Sequence, residues 1–185
     1  MAFIDEHRAK FDNLKVSLEQ NNRDQLRRKA NGGNSILFVY EPSEEIGYLA
    51  KAKELLLENE FKFIDIAKLL VNFIDQDGWN DFQDYYKDFS DTPHLIFKSD
   101  DPDIDLMDMI IKEIKKADDE NKIPVLIRTG TLYGTGIENV NIMEDKTVMT
   151  LKQPLIIFYP AGIRDDNLFF LNFKPASKYR CTVIE

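Results

Sequence analysis

Pro154-Leu155-Ile156-Ile157-Phe158-Tyr159-Pro160 is a run of five apolar residues closed by proline at both ends. A short, uninterrupted apolar run between breakers reads as a strand buried on both faces, of the kind found in the middle of a parallel sheet. Ser35-Ile36-Leu37-Phe38-Val39-Tyr40 and Pro124-Val125-Leu126-Ile127-Arg128 read the same way. With helical patterns between them, they predict an α/β fold: a single domain with a mostly parallel central sheet flanked by helices.

Outward from these strands, residues 2–30 read as a helix with Ile4, His7, Phe11, Leu14 and Leu18 on one stripe, packed on the domain, cations in its last turn and Gly32-Gly33 as its stop. Ser43 is the expected cap of a helix over 43–59 that buries Ile46, Leu49, Ala50, Lys53, Leu56 and Leu57. A strand at 62–66 and a helix carrying Leu69, Leu70, Phe73 and Ile74 come next, and Gly78 breaks that helix. The aromatic and acidic segment 79–89 reads as a helix on the sheet edge, with Tyr85-Tyr86 available as a binding face. Asp101 at the cap and Pro102 at the first position open a helix whose stripe is Ile104, Met107, Ile111 and Ile114. After strand 124–128 come a glycine turn, a short helix at 137–144 and strand 154–159. Last comes an antiparallel edge hairpin pairing 168–173 with 179–184.

The chain has 185 residues, enough for one domain with a sizeable core. Its 33 acidic and 24 basic residues give a formal net charge of −9, which disfavours a grip on a phosphate backbone and suits a protein that works against another protein. A single cysteine, Cys181, excludes an internal disulfide and fits a cytoplasmic location. The acidic N-terminus is not a secretory signal, and no window has the roughly 18 apolar residues that span a bilayer.

A search for chemistry returns no catalytic, cofactor-binding or metal residues. After the first strand, Glu41-Pro42-Ser43-Glu44-Glu45-Ile46-Gly47 stands where a P-loop would need glycines and a lysine around phosphates, so the half-domain is P-loop-NTPase-like without its Walker motif. Thr129-Gly130-x-x-x-Gly134-x-Gly136 matches a dinucleotide-binding turn. It follows the wrong strand, though, and no Tyr-x-x-x-Lys pair accompanies it. The acids around Asp101 lack the Gly and Glu of a calcium loop. Arg128 ends an apolar strand where α/β sheets place ligand crevices; the plainer expectation is an arginine reaching a neighbouring carboxylate. The alternative enzyme reading is a nucleotide- or dinucleotide-binding protein using Tyr40, Arg128 and the Gly130–Gly136 turn.

Three segments carry a resemblance. They are Leu37-Phe38-Val39-Tyr40-Glu41-Pro42 with Glu44-Glu45; the glycine turn and its helix; and Pro154–Pro160 followed by a polar turn, an aromatic strand and Tyr179-Arg180. In this order, over residues 35–185, the chain resembles the BrxB family of BREX bacteriophage-defence systems. Ala161 stands where that family usually has glycine, and Lys178 where a second tyrosine is common. The resemblance implies a cytoplasmic, non-enzymatic adaptor docking onto a larger component such as the phosphatase-like PglZ. The expected contacts are in the Tyr159–Arg164 turn and at Tyr179 and Arg180.

Overall fold

A computed structural model describes residues 2–19, 28, 30–99 and 105–185, with side chains from His7 onward. The three apolar runs are β1 (Ser35–Tyr40), β3 (Ile123–Ile127) and β4 (Leu155–Arg164), and β1 and β3 are buried throughout. With β2 (Phe61–Asp65) and β7 (Cys181–Ile184) they make an open parallel sheet in the order β2-β3-β4-β1-β7. The central strands β1 and β3 have no polar face because both their faces are covered.

Successive side chains of a strand point to opposite faces, so each strand feeds two cores. On one face Ile36, Phe38, Tyr40, Val125, Ile156 and Phe158 lie under α1 (Ala2–Leu18) and α2 (Glu45–Leu55). There Phe38 stacks on Phe158 with ring centroids 4.6 Å apart, and Phe11 caps the pair at 4.9 Å from Phe38. On the other face Leu37, Val39, Leu126, Leu155 and Ile157 meet α3 (Ile66–Asp75), α4 (Trp79–Asp88), α5 (His94–Phe97) and α6 (Leu106–Asp119). The short helices α7 (Asn139–Met143) and α8 (Lys146–Thr150) complete that layer.

Several local expectations are corrected. α1 ends at Leu18, and residues 20–27 and 29 of the expected 2–30 helix lie outside the described residues. Ser43 is not a cap. Pro42–Glu44 forms a 3₁₀ turn and α2 starts after Glu44. α2 buries Tyr48 and Ala52, with Leu56 just beyond its end, while Ile46 is 87% exposed. That i, i+4, i+8 stripe wins because Tyr48 packs edge-on to Phe38 at 5.8 Å and small Ala52 lets the helix approach the sheet. Asp105, not Asp101, caps α6, accepting from the Asp108 amide at 2.7 Å and the Ser99 amide at 2.6 Å. Its buried side is Leu106, Ile110 and Ile114; of the expected stripe Ile114 is buried, Met107 and Ile111 are half-buried against the same core, and residues 100–104, with Ile104 among them, lie outside the described residues.

The C-terminal region departs most. Pro160 does not end β4, which runs on to Arg164. Proline cannot donate to a ladder, and it sits where β4 changes partner, from parallel β1 to antiparallel β5 (Asn167–Phe170). Asp165 and Asp166 both have positive φ, as a tight two-residue hairpin turn requires. The outer edge of β5 pairs with β6 (Lys174–Ala176), so the expected 168–173/179–184 hairpin does not form. Residues 181–184 instead extend the main sheet alongside β1, where Ile184 enters the core.

Candidate functional site

Open α/β sheets bind ligands beyond the carboxyl ends of their strands. Here that mouth collects Tyr40 and Glu41 from β1, Asp65 from β2, Arg128 from β3 and Pro160 from β4. Arg128 follows β3 in the left-handed conformation, φ 56°. Its guanidinium makes a bidentate pair with Asp65: Nε donates to Oδ1 at 2.8 Å and the terminal nitrogen donates to Oδ2. The Asp65 hydrogen bond raises the Arg128 pKa further above its ordinary range. Asp65 also caps α3, accepting from the Lys68 amide. The plainer expectation for Arg128, a neighbouring carboxylate, is what the structure shows.

The other polar groups are engaged in the same way. Tyr40 is buried and donates its hydroxyl proton to Glu45 at 2.7 Å; burial, reinforced by that carboxylate, pushes its pKa well up. Glu41 accepts from the Asn172 side chain at 2.6 Å, and Glu44 lies 3.5 Å from His7. Four carboxylates and one already paired guanidinium make this end hostile to a phosphate.

The glycine turn is built for packing. Thr129 donates to the Phe158 carbonyl at 2.6 Å and Thr135 to the Leu132 carbonyl at 2.7 Å. A side-chain atom on Gly130 would meet Leu171 and Pro160 at 3.5 Å, and one on Gly136 would run into His94. Gly136 has φ +76°, so its conformation and its contact both require glycine. Below the turn, Leu132, Tyr159, Phe170 and Pro175, with Glu138 and Asn139, line a small pocket of only about 20 Å³, room for one water.

Tyr159 belongs to the core, 4% exposed and stacked on Phe170 at 4.9 Å. Arg164 is at the surface, donating to the Asn172 carbonyl and lying 4.5 Å over the Phe169 ring. Tyr179 is 47% exposed, and Arg180 lies 3.7 Å from Glu144. Lys178 pairs with Asp166 at 2.6 Å, which ties the Tyr179 loop to the β4–β5 turn that carries Arg164. The structure therefore groups Arg164 with Tyr179, while Tyr40, Arg128 and Tyr159 lie inside or at the closed sheet mouth.

Sequence reasoning missed one surface. Tyr133 and Phe173 are 55% and 57% exposed and meet edge-to-face at 5.3 Å beside Pro93, His94 and Pro175. The two rings come from the glycine turn and from the loop after β5, and only the unforeseen β5–β6 pairing brings them together. Among the described residues no helix is long and apolar enough to cross a membrane. Comparison with known proteins finds no matching family model, no matching curated protein and no matching solved structure.

Proposed function

We propose that this chain is a non-enzymatic adaptor of a BREX-type phage-defence system, cytoplasmic, docking onto a larger component such as a PglZ-like protein. The system assignment comes from the sequence resemblance over residues 35–185. The observation that carries the adaptor part is the state of the sheet mouth. Arg128 is clamped by Asp65, Tyr40 by Glu45 and Glu41 by Asn172, while exposed aromatic residues stand outside it. Large exposed aromatics are the residues that partner proteins bury.

Affinity purification of the tagged protein from its own host, with mass spectrometry of the eluate, tests this reading. Co-elution of a PglZ-like protein or a large ATPase is expected. Recovery of the chain alone at low salt refutes it. The dinucleotide alternative has its own test: ATP, GTP and NAD(P) are expected to leave Tm unchanged, whereas a ligand at 100 times its Kd would add about 2.7 kcal/mol.

A further inference from the structure

We propose that the outer edge of β7 is an interface with a second copy of this chain, the two β7 strands pairing antiparallel across a two-fold axis at Thr182. This goes beyond the adaptor reading and does not depend on it. The sheet presents three outer edges, β2, β7 and β6. Natural proteins guard such edges with charge, proline or cover. β2 carries Lys62, ion-paired to Glu120 at 2.8 Å, and β6 is Lys174-Pro175-Ala176. β7 is Cys181-Thr182-Val183-Ile184, with neither a charge nor a proline and with three β-branched residues, the type that suits strands. Among the described residues its backbone bonds to β1 and to no other element. That leaves the N–H and C=O groups on its outer side for another strand.

Thr182 names the occupant. It is in register with Ile36, so its side chain faces the α1 layer. There its hydroxyl is buried and has no hydrogen-bond partner among the described residues, a costly state for a polar group. Two antiparallel strands related by a two-fold axis perpendicular to the sheet place one residue opposite itself. With Thr182 opposite Thr182 of the second copy, each hydroxyl has the other as its partner, a cross-strand pair that stabilises sheets. Cys181 then faces Val183 of the second copy, apolar against apolar.

The helix layer accommodates this pairing. α1 lies across β1 and β7, with Phe11 against Phe38 and Ile184 in the same cluster. Neighbouring strands are about 4.8 Å apart, so an axis beside β7 sets the two α1 helices about 10 Å from each other, a normal packing distance for helices. Joined this way, the sheet runs from β2 of one copy to β2 of the other, and Lys62 guards both ends.

Sedimentation equilibrium of the full chain at submillimolar concentration should show a monomer–dimer equilibrium. In a Cys181→Ser background, Thr182→Cys should give a disulfide-linked dimer on oxidation, because directly opposed residues have Cα atoms about 4.5–5.5 Å apart, within disulfide reach. Val183→Cys should not, because its counterpart lies on the diagonal at about 7–8 Å. Thr182→Lys sets two like charges opposite each other and should return the chain to a monomer. Hydrogen exchange reads the same contact in the unaltered chain: protection of the amides of 181–183 should rise with protein concentration. A monomer at submillimolar concentration, a dimer that crosslinks through Val183→Cys and not through Thr182→Cys, or exchange at 181–183 indifferent to concentration overturns the proposal. Protection of β7 that appears only with a different protein assigns the edge to an extended segment of that protein and overturns it as well.

Discussion

Gly33→Ala is the sharpest test of how the C-terminal strand is held. A β-carbon built on Gly33 would overlap the Arg180 carbonyl oxygen and lie 2.6 Å from its carbon and 2.8 Å from Arg180 Cβ. Two of these atoms are backbone, so no rotamer change relieves the clash. Either the 30–34 turn or the entry to β7 must move. Overpacking of this kind costs about 1–3 kcal/mol. If β7 gives way, the burial of Ile184 is lost as well, up to about 1.5–3 kcal/mol. An expected destabilisation of about 2–3 kcal/mol lowers Tm by roughly 4–12 °C in a chain of this size.

A second readout sits on the same strand. Cys181 is buried, and burial pushes its thiol from an ordinary 9.0 up to about 11, leaving roughly a hundredth of the usual thiolate. The wild-type thiol should therefore react slowly with a disulfide reagent at pH 8, and Gly33→Ala should speed the reaction as β7 loosens. Gly32→Ala is the control, because that position has φ +83° and open space around it. It should cost only about 1–2 kcal/mol of backbone strain and leave Cys181 protected. If Gly33→Ala matches wild type in Tm and in thiol reactivity, β7 does not lie where the close approach to Gly33 places it.

Other expectations follow from single contacts. Asn34 donates to the carbonyls of Leu151 and Gln153 at 3.1 and 2.9 Å, so Asn34→Ala should cost about 1–3 kcal/mol in urea unfolding. Phe158→Ala removes a fully buried ring that stacks on Phe38 and should cost about 3–5 kcal/mol by the same assay. Asp65→Ala takes away both the Arg128 partner and the cap of α3. It should destabilise by about 1–2 kcal/mol through the cap alone and by more than Arg128→Ala, which leaves the cap in place. Gly136→Ala should lower Tm by more than Gly134→Ala, because only Gly136 presses on His94 although both have positive φ.

The parallel sheet was legible because β1, β3 and β4 are buried on both faces, and such strands advertise themselves as continuous apolar runs. Helix faces were harder. In α2, apolar residues lie all round, and only contact with Phe38 and Phe11 decides that Tyr48 turns inward and Ile46 outward. The C-terminal pairing was not legible, because Lys174-Pro175-Ala176 carries no strand pattern yet occupies the edge of β5 and displaces 181–184 to β1. For the site, position gave Arg128 at a strand end but could not name Asp65, which lies 63 residues away. Tyr40 is a crevice candidate because it ends β1, and Tyr159 is a contact candidate only through the resemblance; in the fold their rings are core, and Tyr40 directs its hydroxyl to Glu45.

The adaptor reading comes down to one binding measurement between purified components. Sedimentation velocity of this chain mixed at micromolar concentration with a PglZ-like protein, the proposed partner, should show a single faster boundary carrying both. Tyr179→Ala, at a side chain that is 47% exposed, should weaken that complex without changing Tm. Two independent boundaries at low salt, each at the rate of the isolated protein, would contradict the assignment of this partner and the account of the chain as its adaptor.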